Sequence, residues 1–416
     1  MKVRKKIAAI DIILFLQFLT IQFDVFGLTG IVYRFVLFSK YTGAALLFLY
    51  ARNTKEKVGY ASECKAYENA FIDYFIILLI VQLFAIMHSP IFYTYGISYI
   101  TRSMAGFLDR ICFLLEVASI CRLVGVEAIK CLTDVAIFDG IIVTIITIVR
   151  CGLVNTIKTF LVPIGFYNEN SATTMLEVHE LTYVLGILLI YYLFHEKNLS
   201  KYRAKILIMI LLFWLGNKRI GFAAIIIAAL FVFLVRKRGL SKKMLALLGM
   251  CGVAICLVYI ALLYDNRFFE IMSTYGINLM GRNNIYGFFL RRTHFSPTYI
   301  GWGLSATSKA MEHMSFAELG NLVVARGVHN DLLKIYVEFG FWGYILWLSF
   351  FMILLPLKLF KKFGKKTTTL YMALIIYAFV TYATDNTEGY PVFQVALFMI
   401  PLAASLTEKQ EIRHAE

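Results

Sequence analysis

Charge is scarce in this sequence. Asp, Glu, Lys and Arg make up 16% of it, against 60% hydrophobic residues, and the mean hydropathy is +0.73. Soluble domains carry roughly 25% charged residues, so an integral membrane protein is expected rather than a soluble multidomain chain. The seven cysteines include no CxxC pair, which indicates neither a zinc site nor a disulfide framework. Soluble-enzyme signatures are missing too: there is no GxxxxGKS/T, HExxH or GxSxG, and no GxGxxG opening a helix. No Asp-x-Asp occurs, which argues against a metal-held nucleotide-sugar donor; no metal or cofactor is expected. The basic start MKVRKK lacks a following small-residue cleavage pattern, so it reads as the edge of an uncleaved first helix.

What is present is a series of apolar runs separated by short basic clusters. The net charge of +15 resides in those clusters, a layout of membrane topology signals rather than a nucleic-acid surface. At about 20 apolar residues per span, twelve segments qualify: 7–23, 31–50, 70–87, 103–121, 134–153, 179–195, 205–217, 219–235, 244–264, 335–356, 368–384 and 391–407. The fourth is interrupted by Asp109, Arg110 and Glu116, and the seventh is short. Alternating from an inside start puts "RKRGLSKK" and "KLFKKFGKK" inside, with both termini. The expected class is an all-α polytopic membrane protein: nine spans over 1–264, one large outside loop over 265–334, and three spans with an inside tail over 335–416. A connection that long without a span of its own is usually functional. A second outside loop, 154–178, covers the same surface in this reading.

Chemistry-bearing residues gather on the outside face. In "GNKRIG" (216–221), Lys218 and Arg219 stand beside the membrane on the wrong side for a topology signal. They read either as snorkelling helix-end residues or as an anion clamp, since guanidinium grips phosphate oxygens in a bidentate fork. In "LMGRNNIYGFFLRR" (279–292), Arg282 is the candidate, while Arg291 and Arg292 read as solvated charges. "ARGVHNDLLKIYVEFGFWG" (325–343) places Arg326, His329, Asn330 and Asp331 where an apolar helix begins. A neutral imidazole there can take a proton from a sugar hydroxyl. Asp331 either orients that ring or, as the preferred reading, caps the helix. Lys334 and Glu338 have the i,i+4 spacing of a structural pair. Gly340 and Gly343 suit close helix approach, and "IGWGLS" (300–305) a glycine turn.

"HNDLLKIYVEFGFWG" resembles the signature of the O-antigen polymerase and ligase-like family, in which a His-Asn or His-Ser leads into Glu-x-Gly and a second glycine at the start of a membrane helix. "MGRNNIYGFF" resembles its Gly-Arg segment, "IGWG" the Gly-x-Gly that follows, and "GNKRIG" the arginine-bearing turn before the large loop. The four occur in the family's order over roughly 205–345; the N-terminal half is similar in hydropathy only. The resemblance implies a GT-C-like, Wzy-type architecture and metal-independent glycosyl transfer. The donor would be a polyprenyl-pyrophosphate-linked oligosaccharide at the outer face of a bacterial cytoplasmic membrane. It implies His329 as the base, with Arg219, Arg282, Lys218, Arg326, Asn330 and Asp331 binding substrate. Lys218-Arg219 stands where family members often carry a small residue and an arginine, so which of the two faces substrate is open. A lipid-linked acceptor, membrane lipid, a chain-length regulator and a flippase are the implied partners. A ligase passing glycan to a lipid core is the nearest rival. A lipid-glycan flippase is the rival from another class, with Asp73, Asp109, Glu116, Asp134 and Asp139 as its in-membrane suspects. No similarity between the halves supports it.

Overall fold

A computed structural model describes residues 2–19, 22, 30–53, 61–161, 178–196, 198–276, 282–313 and 327–415. Among the described residues every regular element is a helix, as expected of an all-α chain. Within those residues, seven helical stretches are long and apolar enough to cross a membrane. Two of them, Ile97–Cys151 and Asp331–Tyr382, run through more than one helix and cover two expected segments each. The chain is a polytopic membrane protein. Helix Leu199–Leu215, like the segment read as short, falls below span length.

His179–Phe194 is apolar around its whole circumference, and nearly all of it is buried. A helix without a polar face belongs at the centre of a bundle. Pro391–Ala415 packs beside it, buried through its first half. The outer helices do the reverse. Lys242–Tyr264 leaves Leu247, Met250, Ile255 and Val258 exposed, and Arg219–Arg238 leaves Ile226, Leu230, Phe233 and Leu234 exposed. Apolar area on that scale is stable only against lipid.

Each of the in-membrane acids has a partner within the protein. Asp73 meets Lys358 at 2.6 Å and Asp109 meets Lys40 at 2.7 Å. Asp134 pairs with Lys205. Glu116 accepts from Gln17 at 2.8 Å and Asp139 from Gln22 at 2.6 Å. The fourth segment is accordingly one unbroken helix, Ile97–Val124, despite its charges.

The large connection is bolted to the bundle at Gly340. That residue interrupts helix Asp331–Ser349 with φ 71° and ψ −177°, a conformation open essentially to glycine alone. The break exposes backbone groups that segment 299–303 satisfies. Trp302 N–H donates to Val337 O at 2.9 Å, Gly303 N–H to Glu338 O at 2.8 Å, and Phe341 N–H to Tyr299 O at 2.9 Å. The two chains lie so close that a Cβ on Gly340 would sit 2.2 Å from the Ile300 carbonyl carbon. Gly340 therefore serves a loop-to-helix contact, whereas Gly343, close against Val81, fits the helix-approach reading. Gly340→Ala adds about 1–3 kcal/mol of backbone strain to about 1–3 kcal/mol of overpacking. The variant is expected to fail to accumulate in membranes, as a blot against wild type would read.

Candidate functional site

Five segments far apart in sequence meet at one end of the bundle, around Asp385. This carboxylate sits in the turn between helices Leu355–Tyr382 and Pro391–Ala415 and is 2% exposed. Its Oδ2 accepts from Tyr183 OH and from His179 Nδ1, each at 2.9 Å. Its Oδ1 accepts from the Asn386 backbone N–H at 2.8 Å and from Tyr390 OH at 3.3 Å. Burial alone would raise its pKa, but His179 above all, together with the bond from His329 and the charge of Lys218, holds it well below the usual carboxylate range. His179 and Tyr183 reach it together because they lie one turn apart at the start of the same helix.

His329 faces the other edge of Asp385, with Nδ1 3.5 Å from Oδ1 and 3.3 Å from Asn386 Nδ2. Its backbone has φ 53°, a left-handed conformation uncommon outside glycine, asparagine, aspartate and histidine. Two side chains hold it there: Asn386 Oδ1 accepts from the His329 N–H at 2.8 Å, and Tyr286 OH donates to the His329 carbonyl at 2.9 Å. The ring is 27% exposed. It is the one titratable side chain of the HND run that keeps a solvent-facing edge.

Asn330 and Asp331 depart from the expectation that they touch substrate. Both are fully buried, and their polar atoms serve the fold. Asn330, not Asp331, caps the helix: its Oδ1 accepts from Leu333 N–H at 3.0 Å while its Nδ2 donates to Tyr259 OH at 2.7 Å. Asp331 Oδ2 accepts the Glu388 backbone N–H at 2.6 Å. Lys334 reaches Glu388 at 2.8 Å instead of pairing with Glu338, which accepts from Thr307. The i,i+4 pair gives way because Glu388 arrives from another element with a second cation to share, Arg110.

Burial would raise the Glu388 pKa, but Arg110 and Lys334 bring it below the usual range. For both Asp385 and Glu388 the sign is that of a depressed acid. Their stabilisation is complete above the ordinary carboxylate value of about 4 and is lost as pH falls through the folded value. Glu388→Gln removes the shared partner of two largely enclosed cations, and breaking a fully buried pair, the upper bound here, costs about 3–5 kcal/mol. Thermal unfolding in detergent is expected to show a large drop for Glu388→Gln and a smaller one for Glu388→Gln with Arg110→Met.

The cations occupy the same end. Arg282 opens helix Arg282–Leu290, half-buried, and donates through Nη1 to Thr384 O at 2.8 Å, next to Asp385. Lys218 Nζ contacts His179 Nε2 at 2.9 Å. Arg219 is exposed at the first position of helix Arg219–Arg238. Arg326 lies outside the described residues. A cavity of about 570 Å³ lies at the opposite end, beside Arg236, Lys365 and Lys366. It sits against the carboxyl ends of helices His179–Phe194 and Arg219–Arg238, where cations complement exposed carbonyls.

Sequence reasoning missed His179, Asp385 and Asn386. The signal was weak: His179 opens an expected span (179–195), and Asp385 and Asn386 follow another (368–384) with no recognisable motif around them.

The O-antigen ligase family model matches residues 204–348. The resemblance read from the four motifs holds. This O-antigen ligase-like region contains Lys218, Arg219, Arg282 and His329, whereas His179 and Asp385 come from outside it. The match supports a glycan-transfer role in polysaccharide assembly for this membrane protein, with lipid-linked glycans as the substrate class. No curated protein matches the chain.

Proposed function

We propose that the protein is a polysaccharide polymerase that joins polyprenyl-pyrophosphate-linked repeat units, for O-antigen, capsule or exopolysaccharide, at the outer face of a bacterial cytoplasmic membrane. The observation that carries this reading is the meeting of His329 with Lys218 and Arg282 around Asp385, at one end of an apolar bundle. Alternation through twelve spans assigns 178, 218, 265–334 and 385 to one side of the membrane, the outside in this reading, with both termini inside.

In the transfer step the acceptor hydroxyl gives its proton to His329 Nε2 as its oxygen bonds to the anomeric carbon of the donor. The bond from that carbon to the phosphate oxygen breaks, and the electron pair leaves with polyprenyl pyrophosphate. Two groups stand beside His329 Nδ1: Asn386 Nδ2, a donor, and Asp385 Oδ1, the acceptor, whose charge favours the tautomer with its proton on Nδ1. Nδ1 therefore keeps its proton, and the Nε2 lone pair faces the acceptor. The contact is long at 3.5 Å, as catalytic hydrogen bonds often are before substrate binds. Arg282 and Arg219 neutralise the departing pyrophosphate without a metal.

A ligase is the second reading, favoured by the description of the matched family. Pairing of the in-membrane acids with protein partners weighs against a flippase. Purified protein in liposomes, given lipid-linked repeat units in excess EDTA, is expected to make a ladder of products. Transfer of a single glycan to a lipid core, with no ladder, would favour the ligase. Loss of activity restored by magnesium or manganese would count against arginine as the neutralising element.

A further inference from the structure

Lys218, His179 and Asp385 form a line of hydrogen bonds, and the transfer step above gives Lys218 and His179 no role. An ammonium group can only donate, so His179 Nε2, 2.9 Å from Lys218 Nζ, is an acceptor. An ionised carboxylate can only accept, so His179 Nδ1, 2.9 Å from Asp385 Oδ2, carries the proton. Both ring nitrogens are thus committed, and His179 is fixed as one neutral tautomer. With Tyr183 OH also on Oδ2, one edge of the carboxylate is gripped twice. The other oxygen, which also accepts from the Asn386 N–H and Tyr390 OH, is the one that faces His329.

We propose that Lys218 and His179 are positioning residues for glycan transfer: they clamp Asp385 by Oδ2 so that Oδ1 stays aimed at His329 Nδ1. The inference rests on His329 being the base. It also reassigns Lys218, which lies beside Arg219 in the same turn, from substrate to the base's support. Arg219 then remains as the turn's cation for the donor. When His329 takes the acceptor proton it becomes a cation, and a carboxylate already fixed 3.5 Å away stabilises it without reorganising. Without His179, Asp385 keeps Tyr183 alone on Oδ2, its alignment on His329 loosens, and that stabilisation declines while the donor site is untouched.

The assay is steady-state joining of lipid-linked repeat units by purified protein in liposomes, with kcat and KM for the donor measured separately. Outer partners that orient a metal-bound imidazole are worth about 10–100-fold, and His179→Leu is expected to lower kcat within that range with KM within about twofold. His179→Asn, whose amide N–H can replace Nδ1–H, is expected to recover most of kcat. Lys218→Met is expected to lose less than His179→Leu, because the freed imidazole then samples the tautomer that cannot donate to Asp385. Wild-type kcat in His179→Leu overturns the proposal. So does an effect confined to KM, or an asparagine variant no better than leucine. Should the leucine variant fail to accumulate, full kcat in Lys218→Met overturns it instead. His329→Ala in the same assay keeps the two readings apart. Full activity there defeats the transfer site itself, whereas an inactive His329→Ala beside a fully active His179→Leu defeats only the positioning role.

Discussion

His329→Ala is expected to slow glycan joining by about 10²–10⁴-fold, the usual worth of a general base, while protein level and donor binding stay near normal. The ring is partly exposed, so its removal leaves no large cavity. The bonds that hold the segment in place use the backbone N–H and carbonyl of residue 329 and survive the substitution. Cells carrying the variant should therefore make normal amounts of protein and no long chains on a chain-length gel. Polymer of ordinary length at normal protein level would mean that the ring is only a surface residue.

Arg282→Ala is expected to fail differently. Its Nη1 bond to Thr384 O uses one of five guanidinium donors, which leaves the rest of the fork for phosphate oxygens. Hydrogen bonds to charged groups are worth about 1.5–3 kcal/mol each, so losing one corresponds to about a 10- to 150-fold weaker donor complex. KM for the lipid-linked donor should rise along with a fall in kcat, because the pyrophosphate gains charge as it leaves. Arg219→Lys should also impair the reaction, since lysine offers a point charge in place of a fork. An Arg282→Ala protein with unchanged KM would place the donor elsewhere.

The membrane class was legible because hydropathy is a bulk property: lipid as solvent demands apolar runs, and those runs are visible without any partner. His329 and Arg282 were legible for a related reason, as polar residues standing out at the margin of an apolar helix. Asp385 was not. Its importance comes from its neighbours, and the nearest of these in sequence among the histidines, His329, is still a helix pair away. Asn330 and Asp331 adjoin His329 in sequence but serve the fold. A cap and a buried acceptor turn their side chains into the protein, whereas the residue before them turns outward on a left-handed backbone. Gly340 illustrates the same limit. Its glycine was explicable as helix packing until the 299–303 segment lay against it.

The central claim is that the group leaving from this site is a polyprenyl pyrophosphate. Counting that product against glycosidic bonds formed, with purified protein and a defined lipid-linked repeat unit, tests it most directly. One polyprenyl pyrophosphate is expected per bond formed by the wild type, and neither bond nor release above background in His329→Ala. Lipid-linked repeat units moved across the bilayer intact, with no pyrophosphate released, would contradict it.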